Sequence, residues 1–159
     1  SDVCFSDLEL IRKGPEFTGY DIPCRNFIGS HWIRYGGWYP NAKTKFFKKS
    51  EFRYEEAEYH PRCLMPGKRG MTKGELVHLA MDNFSHMIGK LNYATNFEAK
   101  KWFRERRKIG FLKMARKAIH RFFKSYVLQK GYRDGWTGFM LATDSALYQL
   151  LVTPNIGNS

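Results

Sequence analysis

The 159 residues carry 27 Lys and Arg against 15 Asp and Glu, a formal net charge of +12. Hydrophobic content of 43%, with 16% aromatics, supplies enough apolar surface for a real core in a one-domain chain and excludes a disordered one. Cys4, Cys24 and Cys63 form no Cys-x-x-Cys pair, which excludes a zinc ribbon or disulfide framework and favours reduced thiols, and no apolar run reaches the roughly 18 residues of a membrane span.

In chain order, Leu8 to Lys13 reads as a short helix stopped by Gly14-Pro15. Gly19 to Ile28 reads as one strand, with Pro23 making it an edge or bulged one. Turn signals follow at Gly36-Gly37 and Pro40-Asn41, and Lys43 to Lys48 is strand-like. Phe52 to His60 reads as a short Glu-rich strand entering a loop, and Pro61 to Gly74, with two prolines and three glycines, as loop. Thr72 and Glu75 form a capping-box pattern, which predicts a helix from there to about Phe103. Its core face is Leu76, Ala80, Phe84, Met87, Leu91 and Ala94, away from Leu79, Asn83, His86 and Lys90. A further helix is predicted from about Ile109 to Gln129, with Gly131 as its stop.

The charge is concentrated. Lys100 to Arg133 holds thirteen of the Lys and Arg residues and one acid, Glu105, so the rest of the chain balances at fourteen of each sign. Such a localised excess points to an anionic partner: a membrane face, a lipid diphosphate or a nucleic acid. In the Ile109–Gln129 helix, Leu112, Ala115, Ile119, Phe122, Phe123 and Tyr126 share one stripe, and Lys113, Lys117, His120, Arg121 and Lys124 share another. That is the pattern of a segment lying on an anionic membrane surface, with a solvated charged face over an ordinary core stripe as the alternative. No βαβ unit with a glycine-rich turn is present, which excludes doubly wound nucleotide binding.

From Gly19 onward, motifs accumulate in a fixed order. Gly19-Tyr20-Asp21-Ile22-Pro23-Cys24-Arg25-Asn26-Phe27-Ile28-Gly29 is followed by Trp32-Ile33 and Gly36-Gly37-Trp38-Tyr39-Pro40. Then come Tyr59-His60, Gly74 to Tyr93 with His78, Lys90, Asn92 and Tyr93, and Lys130-Gly131-Tyr132-Arg133-Asp134-Gly135-Trp136-Thr137-Gly138-Phe139. Together these resemble inverting glycosyltransferases of family 2, in the branch that builds lipopolysaccharide core and capsule. The resemblance implies an α/β fold: the C-terminal, acceptor half of a GT-A domain with few strands, followed by amphipathic helices. It puts the acceptor half at residues 1–71 and a basic helical region at 72–159, which the amphipathic pattern, not the resemblance, marks for a membrane surface.

The resemblance also implies roles. Asp2 corresponds to the second Asp of an Asp-x-Asp motif that holds Mg²⁺ or Mn²⁺ on the sugar-nucleotide diphosphate, although Val3 replaces the family's Glu. The chain is then expected to be the C-terminal part of a longer enzyme, with the donor site upstream. The acceptor-side general base is expected among Glu55, Glu56 and Glu58, with Glu56 first and Glu58 second. A crowded carboxylate holds a proton more tightly, which suits a base. His60 is a candidate for the metal or diphosphate, with Pro61 where the family has Glu. Arg25 comes from the resembling strand. Trp38 and Tyr39 at the Gly-Gly turn are candidate stacking surfaces for a sugar, or core. Arg62, Lys68 and Arg69 are candidate phosphate contacts, or a solvated loop. From the charge pattern of the helix, and not from the resemblance, Lys113, Lys117, Arg121 and Lys124 are the candidate membrane contacts. The expected partners are a nucleotide-sugar donor, a glycan or lipid-linked acceptor and the anionic inner face of the cell membrane, in the cytoplasm. A nucleic-acid-binding module and a non-catalytic membrane-surface adaptor are the alternatives.

Overall fold

A computed structural model describes residues 16–56, 63–107 and 110–152. The expected helix at Leu8–Lys13 lies outside those residues, as do Asp2, Glu58, His60 and Arg62. Among the described residues the architecture is mixed α/β, with two three-stranded sheets and one two-stranded sheet, and then three helices. The chain divides into two compact units that interleave in sequence: residues 1–26 with 39–78, and residues 27–38 with 79–159.

In the first unit, β1 (Gly19–Ile22) lies between β4 (Lys43–Phe47), antiparallel, and β7 (Arg69–Met71), parallel. Gly19 faces Phe47 and Arg69, and a bulge separates Tyr20 from Asp21. Tyr20 and Ile22 are buried in this sheet. Gly70 permits the packing, since a Cβ there would stand 2.6 Å from the Tyr20 ring. Pro23 has no N–H to donate, so the single strand expected over Gly19–Ile28 breaks there, and β2 (Cys24–Ile28) starts afresh. A small ladder joins β5 (Arg53–Tyr54) to β6 (Cys63–Leu64). The expected loop over Pro61–Gly74 is therefore interrupted by β6 and β7.

The remaining sheet has the order β3-β2-β8, with β3 at His31–Ile33 and β8 at Leu76–Met81. Strand β8 corrects the expectation of a helix starting near Thr72. Thr72 is buried and shapes a turn instead: its N–H donates to the Asp21 carbonyl (3.1 Å) and its hydroxyl to the Gly74 carbonyl (3.0 Å). The helix, α1 (Phe84–Arg104), starts eight residues after β8 does, and its cap is Asn83, whose side chain accepts from the His86 N–H at 2.8 Å.

The core of the second unit is Ile28, Ile33, Ala80, Met81, Met87 and Leu141, with Trp38, Phe84 and Met140 against it. Helix α2 (Phe111–Phe123) runs on through a wider π turn at Lys124–Leu128. Lys130 takes a left-handed conformation (φ 58°), a 3₁₀ turn covers Gly131–Asp134, and α3 spans Gly135–Leu151. Phe122 and Tyr126 of the α2 segment pack edge-on against Phe139 of α3, each with ring centroids 5.9 Å apart. The carboxylate of Asp134, buried in the turn, accepts from the backbone N–H groups of Arg34 (3.0 Å) and Tyr35 (2.8 Å). That double bond pattern ties the start of α3 to the segment leaving β3. It is what an Asp before Gly135 does for the fold.

Candidate functional site

Strand β2 alternates: Cys24, Asn26 and Ile28 point inward, and Arg25 points out. Asn26 is 1% exposed, so its amide needs partners. Its oxygen lies 2.8 Å from His78 Nδ1 on β8, and its NH₂ reaches the Cys24 carbonyl at 3.4 Å. On the opposite side of the strand, the Arg25 guanidinium donates to one oxygen of Glu75 and pairs with it as an ion pair. The Tyr39 hydroxyl donates to the other oxygen of Glu75. The surrounding backbone is fixed. Cys24 N–H donates to the Pro40 carbonyl (3.1 Å), and Leu76 N–H to the Pro23 carbonyl (2.8 Å). Three separate stretches of sequence thus meet within the first unit at a half-exposed Arg25–Glu75–Tyr39 cluster.

The members of the cluster shift one another's affinity for protons. The hydrogen bond from Tyr39, and after it Arg25, holds the Glu75 carboxyl below the usual carboxylate range, against an opposing desolvation cost. The same bond, donated to a carboxylate, pushes the Tyr39 phenol up. The pairing therefore favours the ionised form of Glu75. A carboxylate so stabilised is a poor proton acceptor but a strong acceptor of hydrogen bonds from ligand hydroxyls. Arg25 keeps 44% of its side-chain surface exposed, and Tyr39 is 37% exposed, so both retain faces for a ligand.

The sequence-derived candidates fall in different places. Arg25 and Tyr39 are brought together. Trp38 belongs to the second unit, where it packs partly buried against the core. Lys68 and Arg69 are exposed at the start of β7. Arg69 donates to the Cys63 carbonyl at 3.5 Å, and the Lys68 carbonyl accepts from Thr18. Arg69 is thus a strand residue rather than a loop residue. Glu55 and Glu56 follow β5 directly. Lys113, Lys117, Arg121 and Lys124 are all exposed on the α2 segment.

Glu75 was missed as a site residue because it completes a capping box with Thr72. In Leu76–Met81 only His78 is polar, so no alternation marked the strand, and its pairing with β2 is what shows it. Among the described residues no three His, Cys, Asp or Glu side chains gather to hold a metal ion, and the candidate ligand Asp2 lies outside them. No described helix is long and apolar enough to cross a membrane. No protein-family model and no solved structure matches the chain.

Proposed function

We propose that the chain carries the acceptor-side elements of an inverting glycosyltransferase of the GT-A type, acting on a glycan or lipid-linked acceptor. One observation carries the reading. The strand with Arg25 and Asn26, the turn with Tyr39 and Pro40, and the segment with Glu75 and His78 hold three of the motifs that resemble family 2, and they converge through Arg25–Glu75, Tyr39–Glu75 and Asn26–His78. An ionised carboxylate beside a guanidinium and a phenol is a set of groups suited to sugar hydroxyls. The carboxylate accepts from the donor O–H groups, the guanidinium donates to ring and hydroxyl oxygens, and the aromatic face packs on the C–H side of the ring.

In this reading the cluster orients the acceptor and a separate carboxylate moves the proton. The acceptor hydroxyl attacks the anomeric carbon, the bond from that carbon to the diphosphate oxygen breaks, and the base takes the hydroxyl proton, with inversion. Glu75 is unsuited to that last step because Arg25 and Tyr39 already engage both of its oxygens and lower its affinity for a proton. The base role stays with the Glu55–Glu58 segment, Glu56 first and Glu58 second. A divalent cation, Mg²⁺ or Mn²⁺, would offset the charge of the leaving diphosphate when bound. The test is glycan binding by the chain and by Glu75→Gln. The substitution removes the anion and keeps the shape, so binding to sugars is expected to fall by about tenfold to a hundredfold, the loss of a charge-assisted hydrogen bond. Equal binding by both proteins would refute the site.

A further inference from the structure

The basic stripe of α2 and its apolar residues do not sort in the way a simple two-faced helix would. Ala118 and Ser125 are buried, and Phe122 and Tyr126 turn toward Phe139 of α3. Leu112, Ile119, Phe123 and Val127 are left exposed, Phe123 with its ring edge-on to Phe122. They are 83%, 59%, 56% and 46% exposed. Their spacing of seven, four and four residues sets them near one line, a strip along α2 and the π turn after it, with Arg116 between Leu112 and Ile119. Beside and within that strip stand Lys113, Arg116, Lys117, His120, Arg121 and Lys124, all exposed. No Asp or Glu occurs between Arg106 and Asp134. Trp136, at the start of α3, is 66% exposed and stacks on Phe139 with ring centroids 5.5 Å apart.

We infer that this strip is a seat for an anionic lipid bilayer, in which Leu112, Ile119, Phe123 and Val127 enter the boundary between headgroups and acyl chains while the neighbouring cations contact lipid phosphates. The occupant follows from the two chemistries lying side by side. A nucleic acid backbone satisfies the cations but leaves four apolar side chains in water, so it uses half of the surface. A second copy of the chain brings the same cations against these, and like charges oppose each other. A bilayer interface takes both: apolar side chains sink a few ångströms while Lys and Arg stems reach up to the phosphates. The exposed Trp136 has the amphipathic ring that favours the same depth. This inference does not depend on the sugar site, and the two fail separately, because vesicle binding and glycan binding are read by different ligands.

The experiment is co-sedimentation of the whole chain with phosphatidylcholine vesicles, with and without phosphatidylglycerol. Binding is expected only where phosphatidylglycerol is present. Joint reversal of Lys113, Lys117, Arg121 and Lys124 to Glu is expected to weaken it by more than about a hundredfold, since each cation near the surface contributes. The pair Ile119→Ser and Phe123→Ser keeps every charge and is expected to weaken it by about tenfold or more through the lost insertion. Both side chains are more than half exposed, so the unfolding midpoint of the pair should match wild type and serves as the folding control. Binding untouched by the Ser pair would reduce the surface to a charge patch and overturn the inference. So would salt-sensitive binding to duplex DNA with no retention on anionic vesicles, or a dimer whose formation buries the strip.

Discussion

Gly138 lies inside helix α3, where glycine is normally a liability and Gly→Ala normally gains about 1 kcal/mol. The fold reverses that sign. A Cβ at 138 would stand 2.8 Å from the Gly131 carbonyl carbon, nearer still to its oxygen, and 3.3 Å from the Asp134 Cβ. The first two atoms belong to backbone, and the turn that holds them is pinned by the bonds of Asp134 to Arg34 and Tyr35. Neither neighbour can give way without opening that turn. Overpacking of this kind costs about 1–3 kcal/mol, and more when a charge-assisted bond is stretched with it. After the propensity gain, Gly138→Ala should lose about 2 kcal/mol or more. Gly89 in α1 is the matched control, because a Cβ there meets nothing within 4 Å, and Gly89→Ala should gain about 0.5–1 kcal/mol. Urea unfolding followed by circular dichroism reads both as midpoint shifts at constant slope. A Gly138→Ala midpoint at or above wild type, with Gly89→Ala behaving as stated, would refute the close approach of α3 to the Gly131 turn.

Asp134→Ala should cost about 3–4 kcal/mol, because two N–H groups lose a charged acceptor, whereas Asp134→Asn keeps an acceptor oxygen and should cost about 1 kcal/mol; thermal melts separate the two. Asp144 is pushed up to about 6 by burial, and among the described residues its Oδ1 has no hydrogen-bond partner. The folded state thus holds this proton more tightly than the unfolded chain, so stability should fall as pH rises through the window from about 4 to about 6. Asp144→Asn should remove that slope and be more stable at neutral pH by about 1 kcal/mol, after discounting for solvent screening; an unchanged slope between pH 4 and 6 would count against the burial.

What was legible in the sequence follows the range of the interactions. The end of α1 near Phe103, and that of the α2 segment near Gln129, were readable because helix periodicity is a local signal; the residue that turns left-handed after it is Lys130, however, and not the expected stop Gly131. The break at Pro23 was only half legible. The missing N–H was plain, but whether the chain bulged or restarted depended on pairing with distant strands. The start of α1 was misplaced because Leu76 and Ala80, four apart, satisfy both a helical and an alternating pattern, and Thr72-x-x-Glu75 mimics a cap. What decided it was nonlocal: Thr72 bonds to Asp21, and Leu76 to Pro23. The site shows the same limit. Arg25 and Tyr39 were singled out, whereas their meeting point, Glu75, lies 50 residues from Arg25 and 36 from Tyr39. The split of the α2 apolar residues into packed and exposed sets was also illegible, since distant partners such as Phe139 of α3 decide which ones are covered.

The central claim is that Arg25, Glu75 and Tyr39 bind the sugar of an acceptor. A glycan array probed with the whole chain, alongside Glu75→Gln and Tyr39→Phe, tests it most directly. The account predicts retention of the wild-type chain on a defined set of glycans, competition by the same glycans in solution, and loss of signal in both variants with their folds intact. Absence of glycan retention by the wild-type chain, or retention that both variants preserve, would contradict it.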